Sequence, residues 1–133
     1  MEPLRTLVIV DSANVVGSVP DQWWRDRRGA AERLRDSLVP YAAGGLPGHA
    51  GPVEIVLVVE GAARGIASVP GVRVEAAPGS GDDLITDLAA AAQGVRPCLV
   101  VTADRGLRQR AEAHGARCTG PRTVRPLPPS RGA

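Results

Sequence analysis

Seven acidic or amide side chains stand where chemistry would be expected in a chain of alternating strands and helices. Asp11 directly follows the apolar, β-branched run Leu7-Val8-Ile9-Val10, and Asn14 lies three residues on. Glu60 follows a second apolar run over residues 53–59, and Asp104 comes just after a third over residues 98–102. Asp82, Asp83 and Asp87 open an Ala/Leu-rich stretch between them. Short runs that are apolar on both parities read as buried strands of a parallel sheet. In such sheets, ligands bind at the carboxyl ends of the strands. Carboxylates brought within about 4–6 Å of one another repel, and their pKa values rise unless a cation neutralises them. A hard divalent ion with oxygen ligands meets that need, and with substrate phosphate it supports hydrolysis. His49 and His114 are poorly placed to act as a base.

Each residue also has a structural role open to it. Ser80-x-x-Asp83 loosely matches a capping box, and Asp82 suits a helix N-terminus. Asp104 fits the cap of its own helix, while Asp11 and Asn14 are common loop formers. That role is weakest for Asp11, which follows a strand and lies at no expected helix start. Asp87, four residues beyond Asp83, is past the first turn.

The elements that must position these groups follow in order. After the first strand, residues 15–20 read as a loop. Asp21 is a candidate cap for a helix over residues 22–41, where Ala30, Leu34 and Leu38 recur at i+4 and Gly29 divides off a first turn. Residues 44–52, rich in Gly and Pro, read as a surface loop. Strands over 53–59 and 72–74 follow, then a helix from about residue 82 to 93 stopped by Gly94. A strand over 98–102 leads into a helix over 105–114 closed by Gly115. Residues 117–118 and 123–124 suit a short fifth strand, and 126–133 a loose tail. The alternation implies βαβ units in one domain over 1–125, a three-layer α/β/α sandwich around a mostly parallel sheet.

The composition is that of a globular protein, 44% hydrophobic and 23% charged among 133 residues. No apolar run approaches the roughly 20 residues of a membrane span, and no signal peptide is evident, so a cytoplasmic protein is expected. Cys98 and Cys118 lack metal-site spacing and read as reduced. All 16 basic residues are Arg. Residues 1–104 carry nine Arg against thirteen acids, and residues 105–133 seven Arg against one. A basic end beside an acidic site suits a polyanion, although a solvated helix face and tail explain it equally well. Trp23 and Trp24 beside Arg25, Arg27 and Arg28 suit either base stacking or core packing. Neither a P-loop nor a Gly-x-Ser-x-Gly elbow is present.

Three motifs together resemble a known family. Val8-Ile9-Val10-Asp11-Ser12-Ala13-Asn14 resembles the opening strand of NYN domains, the PIN-like metal-dependent ribonucleases. Val100-Val101-Thr102-Ala103-Asp104-Arg105-Gly106-Leu107 is similar to their later strand, and Gly81-Asp82-Asp83-Leu84-Ile85-Thr86-Asp87 to the acidic helix start between the two. The order matches, over about residues 4–124, and the Trp-Trp-Arg-Asp-Arg segment points to the YacP-like branch. The resemblance implies adjacent first and fourth strands and Mg²⁺ or Mn²⁺ held by Asp11, Asp82 or Asp83, and Asp104, with Asp87 as a further candidate. Asn14 would hold substrate or water, and Thr102 would orient the carboxylates. Glu60 matches loosely an acid carried by related nucleases. The family's lysine before the acidic helix is missing, leaving Arg64 or Arg105 as substitutes for phosphate contact.

The expectation is therefore a metal-dependent endoribonuclease with RNA as its partner; a homodimer is left open. Two other classes remain: a PIN-like module that binds RNA or protein without cutting, and a small-molecule phosphohydrolase. A receiver domain is disfavoured by the absence of Lys. A haloacid-dehalogenase-like phosphatase is disfavoured by Ser12-Ala13, which leaves no second Asp two residues after Asp11.

Overall fold

A computed structural model describes residues 4–19 and 23–125. The apolar runs form the centre of a five-stranded sheet. Strand β1 (Leu7–Asp11) lies between β4 (Glu54–Val59) and β6 (Cys98–Val101). β5 (Val72–Ala76) and β7 (Arg117–Thr119) complete the order β5-β4-β1-β6-β7, and every pairing is parallel. Leu7 sits opposite Glu54 on one side and Cys98 on the other, and the registers run on to Asp11 beside Val58 and Val10 beside Val101. The chain builds outward from β1 to β4 and β5, then returns to β1's other side with β6. The strand order therefore reverses at β1, the position at which such sheets open a crevice.

Alternation along β1 divides the core. Val8 and Val10 pack with helix α2 (Arg27–Gly44), through Ala30, Ala31, Leu34 and Leu38. Leu7 and Ile9 pack with α3 (Gly81–Ala92) and α4 (Arg105–Ala113), through Ile85, Ala89, Leu107 and Ala111. The result is the three-layer α/β/α architecture, with residues Leu7 to Asp11 buried on both faces. No helix of the described residues is long and apolar enough to cross a membrane.

Several local expectations are corrected. The stretch after Asp11 is a short helix, α1 (Ser12–Gly17), because the Asp11 side chain caps it. Helix α2 starts at Arg27, where the Asp26 carboxylate accepts the Gly29 N–H at 3.0 Å, and Trp23–Arg25 forms a separate 3₁₀ turn. Gly29 thus belongs to the first turn of α2 and does not divide the helix. The Gly/Pro-rich segment contains a hairpin, β2 (Gly45–Leu46) and β3 (His49–Ala50), turned at Pro47-Gly48 with φ +78° at Gly48. Residues 121–123 form a 3₁₀ turn, so Thr123-Val124 adds no strand. The candidate cap Asp21 and the tail over 126–133 lie outside the described residues.

Candidate active site

Three strand-to-helix junctions meet at the carboxyl edge of the sheet around β1. Asp11 ends β1 and is only 6% exposed. Its Oδ1 accepts the Asn14 N–H at 3.4 Å, and its Oδ2 accepts the Thr102 hydroxyl at 2.9 Å. Thr102, fully buried, in turn accepts the Asp104 N–H at 3.1 Å. The Asn14 side-chain oxygen accepts the Ala103 N–H at 2.8 Å. These bonds cross-link the β1–α1 junction to the β6–α4 junction, about 90 residues apart in sequence. Asp104 caps α4 by accepting the Leu107 N–H at 2.8 Å.

The third junction comes from the far side of β4. Glu60, just past that strand, accepts the Gly81 N–H through Oε2 at 2.7 Å and so anchors the start of α3. A Cβ at position 81 would lie 3.3–3.5 Å from the Glu60 carboxyl group, so a glycine allows this close approach. Ser80 caps α3 through the Asp82 N–H at 3.1 Å. The Asp82 backbone carbonyl accepts the Thr86 hydroxyl at 2.7 Å, one turn on.

The electrostatics separate the two adjacent aspartates. The Asp82 carboxyl is raised above its ordinary pKa by partial burial and by the charges of Asp104, Glu60 and Asp83, with Arg110 opposing. Asp83 is exposed and pairs with Arg110 Nη2 at 2.9 Å. Asp87 is exposed one turn further along α3. Asp11 is pushed up to about 6, first by burial and then by the charges of Asp82 and Glu60, against the lowering effect of its bonds from Thr102 and Asn14. Asp11, Glu60, Asp82 and Asp104 therefore form one electrostatic group, to which Asp83 adds only the smallest contribution at Asp82; Asp87 is not among the charges acting on Asp11 or Asp82.

Among the described residues, no three His, Cys, Asp or Glu side chains form a ready-made metal cage. The donor set nevertheless fits a hard cation. It is all oxygen, and two of its carboxyls, Asp11 and Asp82, are held high by burial and by neighbouring carboxylates. Mg²⁺ takes only one or two carboxylates and completes its shell with water and phosphate, so an open arrangement suits it.

Among the candidate phosphate contacts, Arg64 is exposed just beyond the 3₁₀ turn that follows Glu60, and Arg105 is exposed at the first position of α4. Arg108 was not anticipated. Its Nε donates to the Thr102 carbonyl at 2.8 Å, and it shares a surface cleft with Arg105 and Ala103. Its position four residues after Asp104, on an expected helix, was the available signal. Of the two tryptophans, Trp23 is half-buried against the α2 side of the core, and Trp24 is 54% exposed. Both cysteines are free, and burial pushes the Cys98 thiol up to about 11.

No protein-family model and no curated protein sequence matches the chain. Solved structures do. Rae1 (YacP) from Bacillus subtilis superposes with a TM-score of 0.70 at 18% identity, covering 93% of this chain and 71% of that one. A mutant of the same protein gives 0.68 at 20% identity, covering 90% and 72%. The chain thus has the three-layer α/β/α fold of Rae1 (YacP).

Proposed function

We propose that this chain is a metal-dependent endoribonuclease that hydrolyses RNA phosphodiester bonds. The observation that carries the reading is the buried Asp11 carboxylate, hydrogen-bonded by Thr102 and grouped with Asp82, Asp104 and Glu60 at the strand-order reversal. Burying an acid at such a point is unfavourable for the fold, and strongly perturbed groups of this kind mark functional sites. The fold shared with Rae1 (YacP) agrees with this.

Asp11, Asp82 and Asp104 would hold Mg²⁺ or Mn²⁺, which when bound supplies charge neutralisation at the phosphate and activation of water. The chain's own groups set the geometry. Thr102 fixes the Asp11 carboxylate in one orientation. Asn14 holds the loop that carries Asp104. Arg105 and Arg108 present fixed positive charge beside that loop, where the RNA backbone would run. Arg64, exposed just past the turn that follows Glu60, would offer a second phosphate contact. Hydrolysis adds water across one P–O ester bond, leaving a phosphate end on one fragment and a hydroxyl on the other.

The test is cleavage of end-labelled RNA with Mn²⁺ or Mg²⁺, for wild type and Asp104→Asn. Asparagine still caps α4, so the variant keeps its fold while losing a carboxylate. Cleavage should fall by roughly 100-fold or more, the usual cost of removing one catalytic group, and should stop in excess chelator. Cleavage by the variant at the wild-type rate refutes the assignment. The open spacing of the acids favours a second reading, a PIN-like module that binds RNA without cutting. Metal-independent RNA binding with no product from the wild type would mark that case.

A further inference from the structure

Next to the acidic group lies a cleft of about 360 Å³ that the proposed catalytic chemistry does not use. Its walls include Ser12, Val16, Trp23, Arg27, Glu60 and Gly61. We infer that this cleft is a base-binding subsite, in which one unpaired nucleobase beside the scissile phosphate stacks on Trp23 and Arg27 with its edge towards Glu60. The RNA identity of the ligand rests on the ribonuclease reading above; the stacking chemistry rests on the cleft itself.

Four observations carry it. First, the cleft and the acidic group share a wall: Ser12 follows Asp11 directly, and Glu60 both lines the cleft and acts electrostatically on Asp11 and Asp82. A base held here belongs to a nucleotide adjoining the acids. Second, the chain has no Phe, one Tyr and two Trp, yet one of those few rings forms a wall of this cleft. Third, the Arg27 guanidinium sits over the Trp23 ring, 5.4 Å from its centroid, and also lines the cleft. Indole and guanidinium planes are the surfaces on which proteins stack single-stranded bases. The cleft's size is that of a small-molecule site, about 300–1,000 Å³. Fourth, Glu60 binds Gly81 N–H through Oε2 only, and its other oxygen has no donor among the described residues. A carboxylate oxygen accepts from the amino group of cytosine, adenine or guanine. Uracil carries a carbonyl oxygen where cytosine carries that amino group and keeps only its ring N–H as a donor, so the subsite favours amino-bearing bases.

Binding is measured without turnover. In the Trp24→Phe protein, Trp23 is the sole tryptophan, and the probes are fluorescein-labelled pentacytidylate and pentauridylate in EDTA, followed by anisotropy and by Trp23 emission. Trp23 emission should be quenched saturably by pentacytidylate, with pentauridylate bound about fivefold or more weaker. Trp23→Leu, made in the wild-type background, should weaken pentacytidylate binding by about tenfold, within the range of lost base–aromatic stacking. Trp23→Phe should restore part of it, separating lost stacking from lost packing. Binding by anisotropy with unchanged Trp23 emission overturns the subsite, as does equal affinity of Trp23→Leu, or no binding of either probe at millimolar concentration. In those cases the ribonuclease reading still stands or falls on cleavage alone. Quenched, base-selective binding by a wild type that never cleaves RNA upholds the subsite and removes the ribonuclease reading.

Discussion

Replacing Asp11 by asparagine should make the metal-free protein more stable at neutral pH, although it removes the central group of the site. The Asp11 carboxyl has its pKa raised from an ordinary 3.8 to about 6 in the folded chain, chiefly by burial. A rise of about 2, at 1.36 kcal/mol for each, means that ionised Asp11 disfavours the fold by about 3 kcal/mol relative to its protonated form. Between pH 4 and 6 the native state keeps a proton that the unfolded chain releases. Wild-type stability therefore falls as pH rises through that window. Asparagine is nearly isosteric with the protonated acid and does not titrate. Its oxygen can accept from Thr102, while its nitrogen faces the Asn14 N–H and loses the weaker 3.4 Å bond, a cost of about 1 kcal/mol. The net gain at pH 8 is about 2 kcal/mol, or roughly 6–8 °C in melting temperature for a domain of this size. Urea and thermal unfolding in EDTA at pH 4 and pH 8 measure it. The advantage should be present at pH 8 and gone at pH 4. A variant no more stable than wild type at pH 8, or one with the same gain at both pH values, would show that Asp11 is not held ionised against its surroundings.

Other substitutions separate the remaining groups. Asp82→Asn should reduce RNA cleavage by roughly 100-fold, whereas Asp83→Asn, which loses only an exposed pair with Arg110, should stay within about threefold of wild type in the same assay. Thr102→Val leaves the Asp11 Oδ2 and the Asp104 N–H without their shared partner and should cost about 2–4 kcal/mol by urea unfolding, while Thr102→Ser should stay within about 1 kcal/mol of wild type. Gly81→Ala presses a methyl group onto the Glu60 carboxyl and should lower stability by about 1 kcal/mol, and a Glu60→Ala background, which removes the group it presses on, should largely abolish that loss.

The centre of the sheet is legible because its three inner strands, β4, β1 and β6, are buried on both faces and so stand out as apolar runs, with Leu7 to Val10 the plainest. Helix α1 was not legible: Val15, Val16 and Gly17 are poor helix formers, and its six residues persist because Asp11 caps them and Val15 and Val16 are buried. The spacing from Asp11 to Asn14 is the cap signal, but the same two residue types are equally common in loops. Sequence placed Asp82 and Asp83 together at one helix start but could not say which faces the β1 edge. That depends on how α3 is rotated against the sheet and on Arg110, from a helix that follows one strand later. Hairpins such as Gly45 to Ala50 are hidden for a related reason, since two-residue strands leave no periodicity.

The acids that define this site also cap the helices behind them: Asp11 holds α1, and Asp104 holds α4. At position 104 asparagine can cap α4 as aspartate does; at position 11 it gives up the bond from Asn14 but also the cost of the buried charge, and one base change converts the codon of one residue into that of the other. Erasing the site's charge therefore leaves the scaffold standing, and at Asp11 strengthens it. Among duplicated copies of such a gene, the neutral path leads from a charged site to an uncharged one with no folding defect to oppose it. Only selection for the chemistry itself keeps the carboxylates in place, so descendants that retain the fold and have lost the acids should arise readily.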